Sequence, residues 1–462
     1  MLISRYDRQL RLWGETGQQC LKSSHILVVD FNYSALLLEV VKNLALTGIG
    51  KLSLLVETNN DEHGTFFDDS SLRVLNTEVE LNYLDWDKAE FSKASFWKKF
   101  TAVIVTSSAI NVLKTVTDFW HYNSDGLLPI LILAYSIGLY GYIRIFSKET
   151  HCVVEVQSEN QVPDLRLDVG WPELDKYCMN IDLVSKDNAE IAELPFATIL
   201  RRAVLDSSSK PIKTELMEYL QHLLVRNGAI VSNPYLNFVE AEKHIHLALR
   251  DSRAISENIL RLINIIPKNL KKVEDPFNRS FWILIEALRK FLSYHKQLPL
   301  AGNIPDMESS TVKYSELKAL YQKKAREDML HLKSLTKHNI ESDMIELFSY
   351  NVRNIKVVNF SEVLSPEGSI EILDAQKEEL APLLQVLIAD QFNLSVKLNE
   401  PSHLNYIEKV QATKGKNLYP VTAMIGGMVC QEIIKVLTHK FVPLENAIVY
   451  DGLLNKLESL KM

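Results

Sequence analysis

Ile26 to Val29 is an unbroken run of β-branched and aliphatic residues, the pattern of a strand buried on both faces. Leu36, Val40, Leu44 and Leu46, with Leu37 and Val41 beside them, then follow helical spacing, and Gly48 and Gly50 supply a stop. A second apolar run, Leu52 to Val56, follows at once. Strand, helix and strand in that order predict a βαβ unit, the opening of a doubly wound sheet. The pattern predicts further strands at Thr101–Thr106, Ile130–Tyr135 and Cys152–Val156, a helix over Ala109–His121, and an alternating segment from Gly138 to Phe146. From Glu190 to Met344 helical periodicity dominates, as in Glu215–Val225, Phe281–Tyr294 and Tyr314–Leu332. Ile355–Phe360 and Leu394–Leu398 are candidate strands in a mixed stretch. Near Tyr419 the first pattern returns: Pro420 opens a helix carrying Ile425, Val429, Ile433, Val436 and Leu437, and Ala447–Tyr450 makes a short strand. The fold class is α/β, a doubly wound Rossmann-like domain split by a mostly helical insert. The expected division is 1–157, 158–404 and 405–462.

Composition narrows the function classes. The 462 residues carry a net charge of -7, which argues against nucleic acid or an anionic membrane surface as a partner. Met1 to Gly14 has charges and no apolar core, so no secretory signal is expected there. Cys20, Cys152, Cys178 and Cys430 lack CxxC spacing, which fits a reducing compartment without a disulfide framework or zinc knuckle.

The candidate chemistry lies in what the first βαβ unit lacks. Nucleotide-binding versions of this unit carry a glycine-rich turn, because only glycine lets backbone amides close on a phosphate. Here Asp30 to Ala35 contains no glycine, and offers a carboxylate and the rings of Phe31 and Tyr33 instead. After Val56, where a ligand would be approached, Glu57 opens an acidic loop. Gly415-Lys-Asn is no phosphate loop, since Val410 stands where a glycine is needed. His244-Ile-His246 reads as a surface pair on a strand, with no third ligand nearby in sequence, and no metal site is expected. No GxSxG or HExxH occurs, and no cysteine sits in a motif that would lower its pKa. Ahead of the first strand, Leu10 and Trp13 can pack inward while Arg5, Arg8 and Arg11 share a neighbouring face. By these residues alone that stretch is a capping helix with solvated arginines.

Two blocks, Tyr6-Asp-Arg-Gln-Leu-Arg-Leu-Trp-Gly and Lys42-Asn-Leu-Ala-Leu-Thr-Gly-Ile-Gly, resemble the opening of the ubiquitin-like-modifier activating enzymes. Other stretches resemble, more narrowly, the regulatory subunits of the neddylation (Rub) activating enzymes. These are Gly138-Leu-Tyr-Gly-Tyr-Ile-Arg-Ile with Asp164-Leu-Arg-Leu-Asp; Leu298-Pro-Leu-Ala-Gly-Asn-Ile-Pro-Asp-Met; Tyr314 to Asp328; and Ile425-Gly-Gly-Met-Val-Cys-Gln-Glu-Ile-Ile-Lys with Phe441-Val. The resemblance implies an adenylation-type fold that has become the non-catalytic half of a heterodimer. The partner subunit is then expected to hold ATP and magnesium and the modifier-accepting cysteine. This chain would bind no cofactor of its own, and would meet the Rub-type modifier and, transiently, a conjugating enzyme. Glu57-Thr-Asn replaces the family's Asp-x-Asp, and no Pro-x-Cys-Thr nucleophile motif occurs. One site residue carries over: the arginine of Tyr-x-Arg-Gln, here Arg8, is implied to reach in trans to the partner's ATP. The cytoplasm and nucleus are the implied compartments. The regulatory half of the SUMO-activating enzyme and a pure interaction scaffold remain the alternatives, the first disfavoured by Asn303-Ile-Pro-Asp-Met. A self-sufficient adenylating or dinucleotide enzyme is disfavoured by the glycine-free turn.

Overall fold

The fold is that of a computed structural model, which describes residues 5–31, 34–56, 74–86, 89–122, 128–155, 162–181, 183, 188–207, 210–226, 235–360, 365–374, 376–394, 401–413 and 416–462. The acidic loop after Val56, the middle of the turn between Asp30 and Ala35, Gly415 and most of Leu394–Leu398 lie outside them.

The chain forms two units. The first comprises 1–153, 271–278 and 356–462, and the second 154–270 and 279–355. In the first, strands β1 (His25–Val29), β2 (Lys51–Val56), β3 (Glu80–Asp85), β4 (Ala102–Val105), β5 (Ile130–Ile137), β6 (Tyr140–Phe146), β9 (Ala447–Asp451) and β10 (Lys456–Leu460) make one eight-stranded sheet. Two short strands, β7 (His151–Val153) and β8 (Lys356–Val358), pair separately and antiparallel. The large sheet runs β10-β9-β6-β5-β4-β1-β2-β3, with β3 to β5 parallel and the β6, β9 and β10 pairings antiparallel.

Each strand of the sheet centre feeds two cores. Leu27 and Val29 face a core completed by the helices Ile110–Tyr122 and Ala381–Gln391, while Ile26 and Val28 face one completed by helix α2 (Ala35–Thr47) and the helix Tyr419–Thr438. Burial on both faces is why β1 reads as a continuous apolar run. It also explains β6, which is buried at every position although its residues alternate in type. The helix Tyr419–Thr438 is long and apolar enough by composition to cross a membrane, and Ile425, Val429 and Ile433 are fully buried in the sheet's core. Gly426 marks its closest approach to α2, where a Cβ would stand 2.8 Å from that of Glu39.

Residues 356–404 were expected in the insert and instead belong with the sheet unit. β8 pairs with β7, and Leu383, Leu384 and Leu387 pack in the core beneath β4 and β5. The second unit is helical among its described residues and holds its own core, with Trp171, Leu200, Leu220, Phe238, Leu317 and Tyr321 buried together. His244 and His246, expected on a strand, fall at a junction between the helices Leu236–Lys243 and Ile245–Leu249.

Candidate functional site

In a doubly wound sheet the ligand crevice opens where the strand order reverses, beyond the carboxyl ends of the strands. Here that place is between β1 and β4. Asp30, directly after β1, is fully buried. Its carboxylate accepts from the Ser34 hydroxyl at 2.5 Å and from the Thr106 hydroxyl, directly after β4, at 2.6 Å. Ser34 is the N-cap of α2, its oxygen accepting from the Leu37 amide at 3.1 Å. The positive end of α2, where a phosphate would sit, is therefore capped by a hydroxyl leaning on an internal carboxylate.

The ground beside Asp30 is filled as well. The Phe31 ring meets Trp86 edge to face at 5.1 Å, and Trp86 lies 4.1 Å from Phe91. Gln391 donates to the Ser107 carbonyl at 3.2 Å and accepts from the Tyr142 hydroxyl. Tyr135 donates to Asp390 at 2.6 Å, and burial together with that carboxylate pushes its pKa far up. Among the described residues the N-terminus of α2 thus meets the Asp30 carboxylate, through Ser34, where a glycine turn would leave room for a phosphate.

Arg8 lies on the first segment of helix α1 (Asp7–Ser23), which kinks at Gly14 (φ 70°). Gln9 donates to the Leu46 carbonyl at 3.2 Å, Trp13 donates to Gln18 at 2.9 Å, and Gln18 donates to the Thr47 carbonyl at 3.0 Å. Asn76 donates to both the Tyr6 hydroxyl and the Ala45 carbonyl at 2.8 Å. The left-handed Gly48 (φ 85°) ends α2 beneath these groups, and a Cβ there would stand 2.8 Å from Tyr6 and Gln18. The two opening sequence blocks are thus one structural joint. Arg11 pairs with Asp7 at 2.9 Å. Arg8 is exposed and has no hydrogen bond or ion pair among the described residues. Sequence reading singled out Arg8, which the structure places on an exposed face, and missed the joint of Gln9, Trp13 and Gln18.

No thiol is tuned for attack. Burial pushes Cys178 and Cys430 up to about 12 and Cys152 well above its ordinary value, while Cys20 is raised by burial and by Asp275. His244 donates to the Glu240 carbonyl and stacks on Phe196 at 4.6 Å, and no group of three metal-ligating residues exists among the described residues.

In the second unit the three middle blocks meet. Arg166 donates to the Leu298 carbonyl at 2.6 Å and faces Asp164 and Asp328, and Asp328 accepts from the Leu300 amide at 3.0 Å. Tyr321 donates to the Leu165 carbonyl at 2.5 Å, and Arg353 pairs with Asp164 at 2.7 Å.

No family model matches the chain. Among curated proteins it is 28% identical to the NEDD8-activating enzyme E1 regulatory subunit of Saccharomyces cerevisiae, over 100% of both chains. It is 28% identical to that of Gallus gallus, over 97% of this chain and 96% of the relative. With the NEDD8-activating enzyme E1 regulatory subunit AXL of Arabidopsis thaliana it shares 26% identity, over 99% of both. Among solved structures, E. coli MccB with SeMet MccA covers 32% of this chain and 50% of its own at 15% identity, with a TM-score of 0.25. The resemblance to these regulatory subunits runs the whole length of the chain.

Proposed function

Starting from a chain that resembles the NEDD8-activating enzyme E1 regulatory subunits from end to end, we propose that it is the regulatory half of a heterodimeric activating enzyme for a Rub/Nedd-type ubiquitin-like protein. The catalytic partner adenylates the modifier with ATP and magnesium and captures it as a thioester; this chain performs neither step. The observation that carries the reading is the crevice between β1 and β4, where Asp30 bonds Ser34 and Thr106 in the place of a nucleotide phosphate. The names of the relatives favour the NEDD8 system over SUMO.

What the chain adds to the partner's chemistry is Arg8. Its helix is fixed to α2 by Gln9 and Gln18, and its guanidinium is left unengaged on the outer face. A permanently cationic, bidentate donor suits the charge that develops on a polyphosphate. The cytoplasm and nucleus are the compartments proposed, with a conjugating enzyme as a passing partner and neither nucleic acid nor membrane.

The test is pyrophosphate exchange by the co-purified heterodimer. Loss of one charge-assisted contact at a reacting phosphate costs about 2–4 kcal/mol, so Arg8→Ala slows exchange by roughly 30- to 1,000-fold. Exchange at the wild-type rate would remove Arg8 from the reaction and leave a docking scaffold as the better reading.

A further inference from the structure

The amino-terminal ends of the sheet's parallel strands frame a cavity at the opposite end from Asp30. It has a volume of about 690 Å³, lies within the first unit, and reaches Ser24 before β1, Thr101 before β4 and Pro129 before β5. One wall is a stack of rings. Phe277 lies 3.9 Å from His439, and His439 lies 4.5 Å from His151. Phe100 and Phe360 add apolar surface.

Two buried polar atoms of the lining residues are left without a partner. His151 is 4% exposed, and its Nε2 makes no hydrogen bond among the described residues. Glu149 accepts from the Glu274 amide at 3.1 Å through Oε1, while its buried Oε2 makes no hydrogen bond. A buried polar atom left in that state costs free energy until a donor or acceptor reaches it. Glu274 and Asp275 line the same cavity, and Asp275 accepts from the Asn278 amide at 2.7 Å. Burial raises the Glu149 pKa, the Glu274 amide opposes that, and the Asp275 charge raises it further. Against these carboxylates the one lysine or arginine among the described lining residues is the exposed Lys98. The cavity therefore joins an excess of negative charge to a ring wall. No set of three side chains that could hold a metal ion converges among the described residues.

We propose that this cavity binds a small organic ammonium, a primary amine carried on an aromatic body. The ammonium donates to Glu149 Oε2 in the field of Asp275 and Glu274, and its further donors suit the His151 nitrogen. The body packs on the ring wall, where the aromatic faces also attract the cation. The volume is in the range that encloses such a molecule.

The experiment is calorimetry on the full chain at pH 7.5 with phenethylamine as the probe, beside the neutral phenethyl alcohol and the anionic phenylpropionate. The amine is expected to bind at least roughly tenfold tighter than either. Glu149→Gln, which keeps an acceptor for the Glu274 amide, lowers the amine's affinity by about tenfold. Its unfolding midpoint stays at or above that of the wild type, because the repulsion with Asp275 is gone; a residue with a purely structural role would lose stability instead. Should Glu149→Gln not fold, Asp275→Asn, which keeps an acceptor for the Asn278 amide, decides by the same loss of affinity. No binding of the amine, equal affinity for the alcohol, or wild-type affinity in Glu149→Gln each overturns the proposal. Displacement of the amine by calcium at constant ionic strength does so too, since the occupant would then be a metal ion.

Discussion

The Thr106 hydroxyl donates to the Asp30 carboxylate at 2.6 Å, tying β1 to β4 at the one place where a doubly wound sheet opens a crevice. The same carboxylate accepts from Ser34, so the first residue of α2's cap and the ends of two strands share one charged group. What occupies a ligand's place is now part of the fold.

Removing that group therefore weakens the protein without reopening a site. Asp30→Ala leaves the buried Thr106 hydroxyl and the half-buried Ser34 hydroxyl without this acceptor, at about 1–3 kcal/mol, and Asp30→Asn costs less because one acceptor oxygen remains. Urea midpoints measure the difference. Calorimetry with ATP is expected to detect no site on the wild-type chain or on either variant.

Arg8 and Arg11 separate reach from mere charge. Arg8→Lys is expected to recover only part of the pyrophosphate exchange lost in Arg8→Ala, since one ammonium cannot give a forked contact. Arg11→Ala, which breaks only the exposed pair with Asp7, exchanges at the wild-type rate. All three keep stability within about 0.5 kcal/mol of wild type, as urea midpoints check.

His151 makes the sheet unit sensitive to mild acid. Burial first and the neighbouring His439 second hold its imidazole well below the ordinary value, while in the unfolded chain it titrates near about 6.5. The unfolded state therefore binds the extra proton, and below about pH 6.5 stability falls as pH falls, by up to about 1.4 kcal/mol per unit from this residue. Above that pH it contributes no slope. His151→Phe, which keeps a ring 4.5 Å from His439, flattens the plot of urea midpoint against pH between 5 and 6.5.

The thiols are expected to sort by burial rather than by activation. Iodoacetamide at pH 7.5 labels the isolated native chain at Cys20 alone, and labels Cys152, Cys178 and Cys430 only after denaturation. Mass spectrometry of the peptides reads the result. A fast-labelling thiol in the folded chain would contradict the raised pKa values.

The parts of the fold legible in the sequence were those where one local pattern has one meaning. Ile26–Val29, the spacing from Leu36 to Leu44 and the Gly48 stop each placed an element, because burial on both faces and a left-handed cap leave plain marks. The insert's far boundary was not legible. Leu383, Leu384 and Leu387 repeat with helical spacing as the insert's own helices do, and periodicity says which face is buried, never against which core. His244 and His246 misled because their spacing suits a strand, while the Phe196 stack and the Glu240 carbonyl belong to helices. At the site, Asp30 was visible as an obstacle to phosphate. That it is a buried tie between Ser34 and Thr106 depends on a residue 76 positions away, and no local pattern carries it.

The sheet order also has a consequence for how the protein is made. β6 is buried along its whole length, and its outer neighbour β9 begins only at Ala447. Until that residue leaves the ribosome, Tyr140 to Phe146 stands as an open apolar edge while the entire second unit is synthesised and folds. Pairing across such a separation closes slowly, and an unpaired apolar edge invites other strands meanwhile. Synthesis of this chain thus has a vulnerable interval that spans the second unit and residues 356–446 of the first, and it ends when β9 pairs with β6.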